Sequence, residues 1–68
     1  MSTKVTTDYP TEFGVALLYG QEEVITMAKV ETSSDYWEFW IVRTISGKSK
    51  GELKIVTVDD LSNFHYYK

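Results

Sequence analysis

The residues able to do chemistry are few, and their spacing works against each catalytic arrangement they could form. A Ser or Thr nucleophile needs a base held in place by a third group, and the one histidine of the chain, His65, lies in a terminal His65-Tyr66-Tyr67 run with no such context. Two carboxylate pairs, Glu22 with Glu23 and Asp59 with Asp60, could divide acid and base roles if their environments differed. Adjacent residues on a strand point to opposite faces, so neither pair makes a dyad there. Asp59 and Asp60 read instead as turn and cap residues, and a calcium loop would need several more oxygen ligands at fixed intervals. The segment Ser46-Gly47-Lys48-Ser49-Lys50-Gly51 combines glycine with lysine. It lacks the first glycine of a phosphate-binding GxxxxGK[ST] loop, and strand-like segments flank it, so it reads as an exposed hairpin loop. Zinc needs Cys or several His; the chain has no Cys and a single His. No enzyme, cofactor or metal site is expected.

The aromatic residues carry the one positive signal. Seven of the ten follow residue 35: Tyr36, Trp37, Phe39, Trp40, Phe64, Tyr66 and Tyr67. On a strand through 36–46, Trp37, Phe39, Ile41, Arg43 and Ile45 share one face, and Tyr36, Glu38, Trp40, Val42 and Thr44 share the other. Taking the first face as the core side leaves Tyr36 and Trp40 on the outer face, where exposed Trp and Tyr anchor protein interfaces. With the terminal Tyr66 and Tyr67 and the acidic Glu22 and Glu23, these form the expected partner-binding set. The competing reading keeps the rings in the core, because aromatic burial dominates small cores.

The elements that must position these residues follow from composition. Residues 1–11 are Thr-rich and polar, contain the only proline, Pro10, and read as a flexible N-terminal arm. Residues 12–68 read as a single small β domain. Strands are predicted near 13–19, 23–31, 36–46 and 51–58, with a tight helical turn at 59–62 and room for a fifth short strand. The run 36–46 is rich in the aromatic and β-branched types that suit a pleated surface. Two such runs joined by the Gly47–Gly51 loop make a hairpin. Residues 21–31 also fit a helix, since Glu22 and Glu23 suit a helix N-terminus and Val24, Met27 and Ala28 fall at helical spacing. The β-branched Val24, Ile25, Thr26, Val30 and Thr32 favour the strand. The expected fold is mainly β, a small antiparallel sheet or SH3-like barrel of four to five strands with a short helical turn near the C-terminus. The alternative is α+β, a three-stranded sheet with one packed helix. Asp35-Tyr36-Trp37 superficially resembles the SH3 family, but that family's acidic ligand loop and later proline and tyrosine have no counterparts, and no membership is drawn.

Size and charge bound the function. A 68-residue chain buries only roughly 60% of its unfolded surface, and domains this small usually need disulfides, a metal or a partner. With the first two set aside, partnership remains. The chain is 43% hydrophobic, too apolar for intrinsic disorder. No run approaches a membrane span, and the start Met1–Glu12 has no apolar signal core, so a cytoplasmic location without membrane contact is expected. Residues 1–35 carry two Lys against six Asp and Glu, and residues 36–68 carry five Lys and Arg against four. The acidic half would repel phosphates and could face a basic partner surface; alternatively it only solubilises an aromatic-rich chain. The expected function is a non-enzymatic protein-binding module, a small regulator or inhibitor of the kind phages and mobile elements encode against host proteins. Two alternatives are carried. One is a single-stranded nucleic-acid binder, with Tyr36, Trp40, Tyr66 and Tyr67 stacking bases and Arg43, Lys48, Lys50 and Lys54 meeting phosphates. The other is a structural subunit of a homo-oligomer.

Overall fold

Short runs of β-branched and aromatic residues pair with one another throughout the computed structural model, which describes residues 3–31 and 38–68. In chain order the strands are β1 (Lys4–Thr6), β2 (Gly14–Leu18), β3 (Glu22–Val30), β4 (Phe39–Thr44), β5 (Leu53–Thr57) and β6 (Leu61–Tyr67), with a 3₁₀ turn at Val58–Asp60 between the last two. They form one six-stranded antiparallel sheet in the order β1-β6-β2-β3-β4-β5. The fold is mainly β, with six strands where four or five were expected. Among the described residues β1 and β5 are free edges, so the sheet is open and not closed into a barrel.

Within residues 21–31, which fitted either a helix or a strand, Glu22–Val30 is strand. The burial of β3 alternates, with Val24 and Thr26 inside and Ile25 half-buried between them, and its register with β4 shifts by one residue between Thr26 and Ala28. That bulge at Met27 interrupts the period of two and mimics helical spacing in the sequence.

The core occupies one face. Ala16, Leu18, Val24, Trp40, Val42, Val56 and Leu61 are each at most 6% exposed, and Val58 and Phe64 pack against them. With no second layer among the described residues, the sheet itself must curve around this face; Pro10 is also buried. Two threonines lie in the same interior with their hydroxyls satisfied. Thr26 Oγ1 donates to the Thr11 carbonyl at 2.6 Å, while Thr44 Oγ1 donates to the Ser49 carbonyl and accepts from Glu52 N–H at 3.1 Å. Thr44 thereby organises the 47–52 loop, whose Gly51 N–H donates back to the Thr44 carbonyl at 2.7 Å. The expected hairpin and exposed lysine loop are both present.

The face assignment of the central strand is corrected. Trp40, Val42 and Thr44 are the buried side of β4, whereas Phe39 and Ile41 are half-buried and Arg43 is exposed. The reason is electrostatic as well as steric. A charged guanidinium cannot be buried unpaired without a large cost, and Arg43 shares its face with Phe39 and Ile41. Trp40 is therefore a core residue and not a surface anchor. Tyr36 and Trp37 lie outside the described residues.

The stretch expected as an arm is also largely tied down. Lys4, Val5 and Thr6 pair with Tyr67, Tyr66 and His65, and Thr3 and Lys68 exchange backbone hydrogen bonds at 3.2 and 2.9 Å. Further along, the Thr11 carbonyl receives Gly14 N–H at 3.1 Å. Backbone pairing of this kind leaves no hydrophobic period to read.

Gly14 marks the tightest point of this arrangement. A Cβ there would collide with Thr11 Oγ1 and press on the His65 and Thr11 carbonyl oxygens at 3.1 and 3.2 Å. The threonine hydroxyl can turn away, but the two backbone oxygens belong to the β6 ladder and the Thr11 clamp. Gly14→Ala is therefore expected to destabilise the domain by about 1–3 kcal/mol, the usual range for overpacking, measured as the shift in urea midpoint. An unchanged midpoint would mean that the Thr11–Gly14 turn moves freely.

Candidate functional site

The turn that Gly14 closes also sets one of three described non-glycine residues with a positive φ, the others being Tyr19 at 53° and Asn63 at 55°. Phe13 has φ of 61°, a left-handed conformation that a bulky residue adopts only under constraint. The constraint is visible: Phe13 N–H donates to the Thr26 carbonyl at 2.6 Å, and Gly14 N–H to the Thr11 carbonyl at 3.1 Å. Pinned in this way, the ring projects outward and is 72% exposed. Asn or Gly would occupy the same position without strain.

Beside Phe13 runs the end of β6. Because β6 lies antiparallel to β2, with Val15 opposite His65, Tyr66 and Tyr67 emerge next to the start of β2. Thr11, Glu12, Phe13, Tyr66 and Tyr67 line an open groove of about 430 Å³. Tyr67 is 58% exposed, and Tyr66 is half-buried. His65 backs this end of β6: it is 8% exposed, its ring meets Tyr67 edge-on at a centroid distance of 5.6 Å, and its Nδ1 lies 2.9 Å from the Asn63 carbonyl. A carbonyl only accepts, so Nδ1 carries the proton and the imidazole serves as a packing and hydrogen-bonding residue. The groove is thus lined by two tyrosines, one exposed phenyl ring and Glu12.

The other expected site residues lie apart. Glu22 stands opposite Leu18, at the far end of β2 from Gly14, about 13 Å away along the strand. Its carboxylate pairs with Lys54 Nζ at 3.6 Å and accepts from Ser49 Oγ at 3.4 Å. Glu23 is exposed, and its N–H donates to Ser46 Oγ at 3.1 Å. The Glu22 carboxylate and the Glu23 N–H hold the β3 end to the 46–54 hairpin, and neither residue is brought to the aromatic groove. Trp40 is buried in the core, which also removes it from any base-stacking set, and Lys54 of the expected phosphate contacts is already engaged by Glu22. The structure therefore brings together Tyr66 and Tyr67, separates Glu22, Glu23 and Trp40 from them, and adds Phe13, which the sequence reading took as the start of a strand. The signal that could have found it is Thr11-Glu12-Phe13-Gly14, a polar pair and a glycine around one aromatic, which is turn chemistry and not strand chemistry.

The remaining candidates for chemistry resolve into structural roles. Asp60 Oδ2 accepts the Thr57 N–H at 3.3 Å across the 3₁₀ turn. Among the described residues no three His, Asp or Glu side chains converge as a metal site would require, and no helix is long and apolar enough to cross a membrane. No family model matches the chain, and neither a curated protein nor a solved structure matches it.

Proposed function

We propose that the chain is a non-enzymatic protein-binding module: a small regulator or inhibitor, of the host-antagonist kind that phages and mobile elements encode, which seats the Phe13–Tyr66–Tyr67 groove on a larger cytoplasmic protein. The observation that carries this reading is Phe13, a large ring held 72% exposed at a φ of 61° that, unlike the similarly exposed Tyr19 at a φ of 53°, lines a groove together with two tyrosines. Strain of this kind persists only where the surroundings enforce it, and it clusters at binding and catalytic sites. An exposed aromatic anchor gives the second half of the argument, since rigid rings bury much area at low entropic cost. Acidity favours a partner with a basic surface: the sequence pI is about 4.9, and Glu12 sits on the groove's rim.

The test is affinity capture from lysate with nuclease treatment, run side by side with the wild-type chain and with Phe13→Asn as baits. A stoichiometric protein that survives nuclease on the wild-type bait and is absent from the variant supports the proposal. Capture that disappears with nuclease would overturn it in favour of nucleic-acid binding, and equal capture by both baits would remove the groove from the account.

A further inference from the structure

We propose that β5 pairs with β5 of a second copy of this chain, joining two sheets antiparallel across a twofold axis at Ile55. The pairing of β5 with β4 determines which of its backbone groups are free. Val58 N–H donates to the Glu38 carbonyl at 3.1 Å and Thr44 N–H to the Glu52 carbonyl at 3.0 Å. In an antiparallel ladder hydrogen-bonded pairs alternate with non-bonded ones, so Lys54 and Val56 also exchange their bonds with β4. The N–H and C=O groups of Leu53, Ile55 and Thr57 therefore point away from β4, along an open edge.

A twofold centred on Ile55 uses those groups in the correct parity. Ile55 exchanges both backbone bonds with Ile55 of the second copy, and Leu53 falls opposite Thr57. Asp60 Oδ2 already takes the Thr57 N–H at 3.3 Å, so the Leu53–Thr57 pair is bonded through Leu53 N–H and the Thr57 carbonyl. Lys54 then faces Val56, and Glu52 faces Val58, so no like charges meet within the paired segment. Beyond its ends, the Lys48 and Lys50 loop of each copy runs toward the Asp59 and Asp60 turn of the other. This complementarity is specific to the antiparallel, self-paired arrangement. A parallel one would set lysines against lysines and aspartates against aspartates.

The side chains tell the same story. Leu53 and Ile55 are 58% and 65% exposed, stand opposite Arg43 and Ile41 on β4, and with Ile41 and Lys54 line a shallow depression of about 290 Å³. Edge strands normally carry an outward lysine, a proline or a bulge that discourages pairing. The only charge within β5, Lys54, is instead drawn to Glu22 at 3.6 Å. The opposite edge behaves differently: β1 is three residues long and begins with the exposed Lys4. Among the described residues one edge is blunted and the other is left open.

Sedimentation equilibrium of the full chain tests the proposal, with wild type, Ile55→Lys, Lys50→Glu and Lys50→Glu/Asp59→Lys compared over a range of concentration and salt. Wild type is expected to dimerise. Ile55→Lys places two ammonium groups opposite each other on the axis and should raise the dissociation constant at least about tenfold, with the circular dichroism unchanged because Ile55 is exposed and the thermal midpoint unchanged at concentrations where both chains are monomeric. Lys50→Glu should weaken the dimer in a salt-dependent way, and the double variant should restore it. A wild-type chain that stays monomeric at millimolar concentration, or a dimer indifferent to Ile55→Lys, would overturn the proposal. Phe13→Asn should leave the dimer unchanged, so a failure here and a failure of the aromatic groove are separately visible.

Discussion

Trp40→Ala is expected to leave most of the chain unfolded at 25 °C. Trp40 is 4% exposed and lies in the core cluster of buried apolar side chains, paired with Lys29 on β3 and Val56 on β5. Truncating a buried Trp costs about 3–5 kcal/mol through lost transfer energy and the cavity left behind. A single core of this size rarely supplies more than about 3–5 kcal/mol in total, so the loss equals the whole margin. Trp40→Phe separates packing from polarity. The indole Nε1–H is buried with no partner among the described residues, a state that costs about 1–3 kcal/mol. Phenylalanine removes that cost while creating a smaller cavity, so this variant should fold with a loss of no more than about 1 kcal/mol. Urea titration followed by far-ultraviolet circular dichroism measures both. If Trp40→Ala were as mild as Trp40→Phe, the buried face of β4 would be wrongly identified.

Phe13→Asn should do the reverse, sparing the fold and removing function. The ring is 72% exposed, so little burial is lost, and asparagine tolerates a φ of 61° that costs most side chains about 1–2 kcal/mol. Stability should stay constant or rise by up to about 1 kcal/mol. Partner affinity should fall by roughly 30-fold or more, the consequence of losing about 2 kcal/mol at an anchoring ring. A variant that is more stable and less active is the signature of strain retained for binding. Loss of stability together with binding would instead mark Phe13 as a structural residue of the turn.

The two variants also show what could be read from residues alone. The mainly β class followed from Trp40 to Thr44 and from Leu53 to Thr57, where β-branched and aromatic residues alternate and a glycine-bounded loop joins them. The faces of β4 did not follow from apolar count, because rings occupy both sides. Arg43 held the answer, since a lone charge marks the solvent side more firmly than two more rings mark the core. The strand β1 and the Thr11–Gly14 turn were hidden because backbone pairing and a left-handed φ leave no hydrophobic period. Of the expected site, Tyr66 and Tyr67 both line the groove at the end of β6. Phe13 joins them from more than fifty residues away in sequence, through the antiparallel pairing of β2 with β6, a register that local propensity does not encode.

The most direct measurement of the account is hydroxyl-radical footprinting of the aromatic side chains, read residue by residue by mass spectrometry, for the chain alone and bound to its captured partner. Phe13 and Tyr67 should be modified in the free chain while Trp40 is protected despite the higher intrinsic reactivity of indole, and the modification of Phe13 and Tyr67 should fall in the complex. Rapid modification of Trp40 in the free chain, or a Phe13 signal unchanged by the partner, would contradict it.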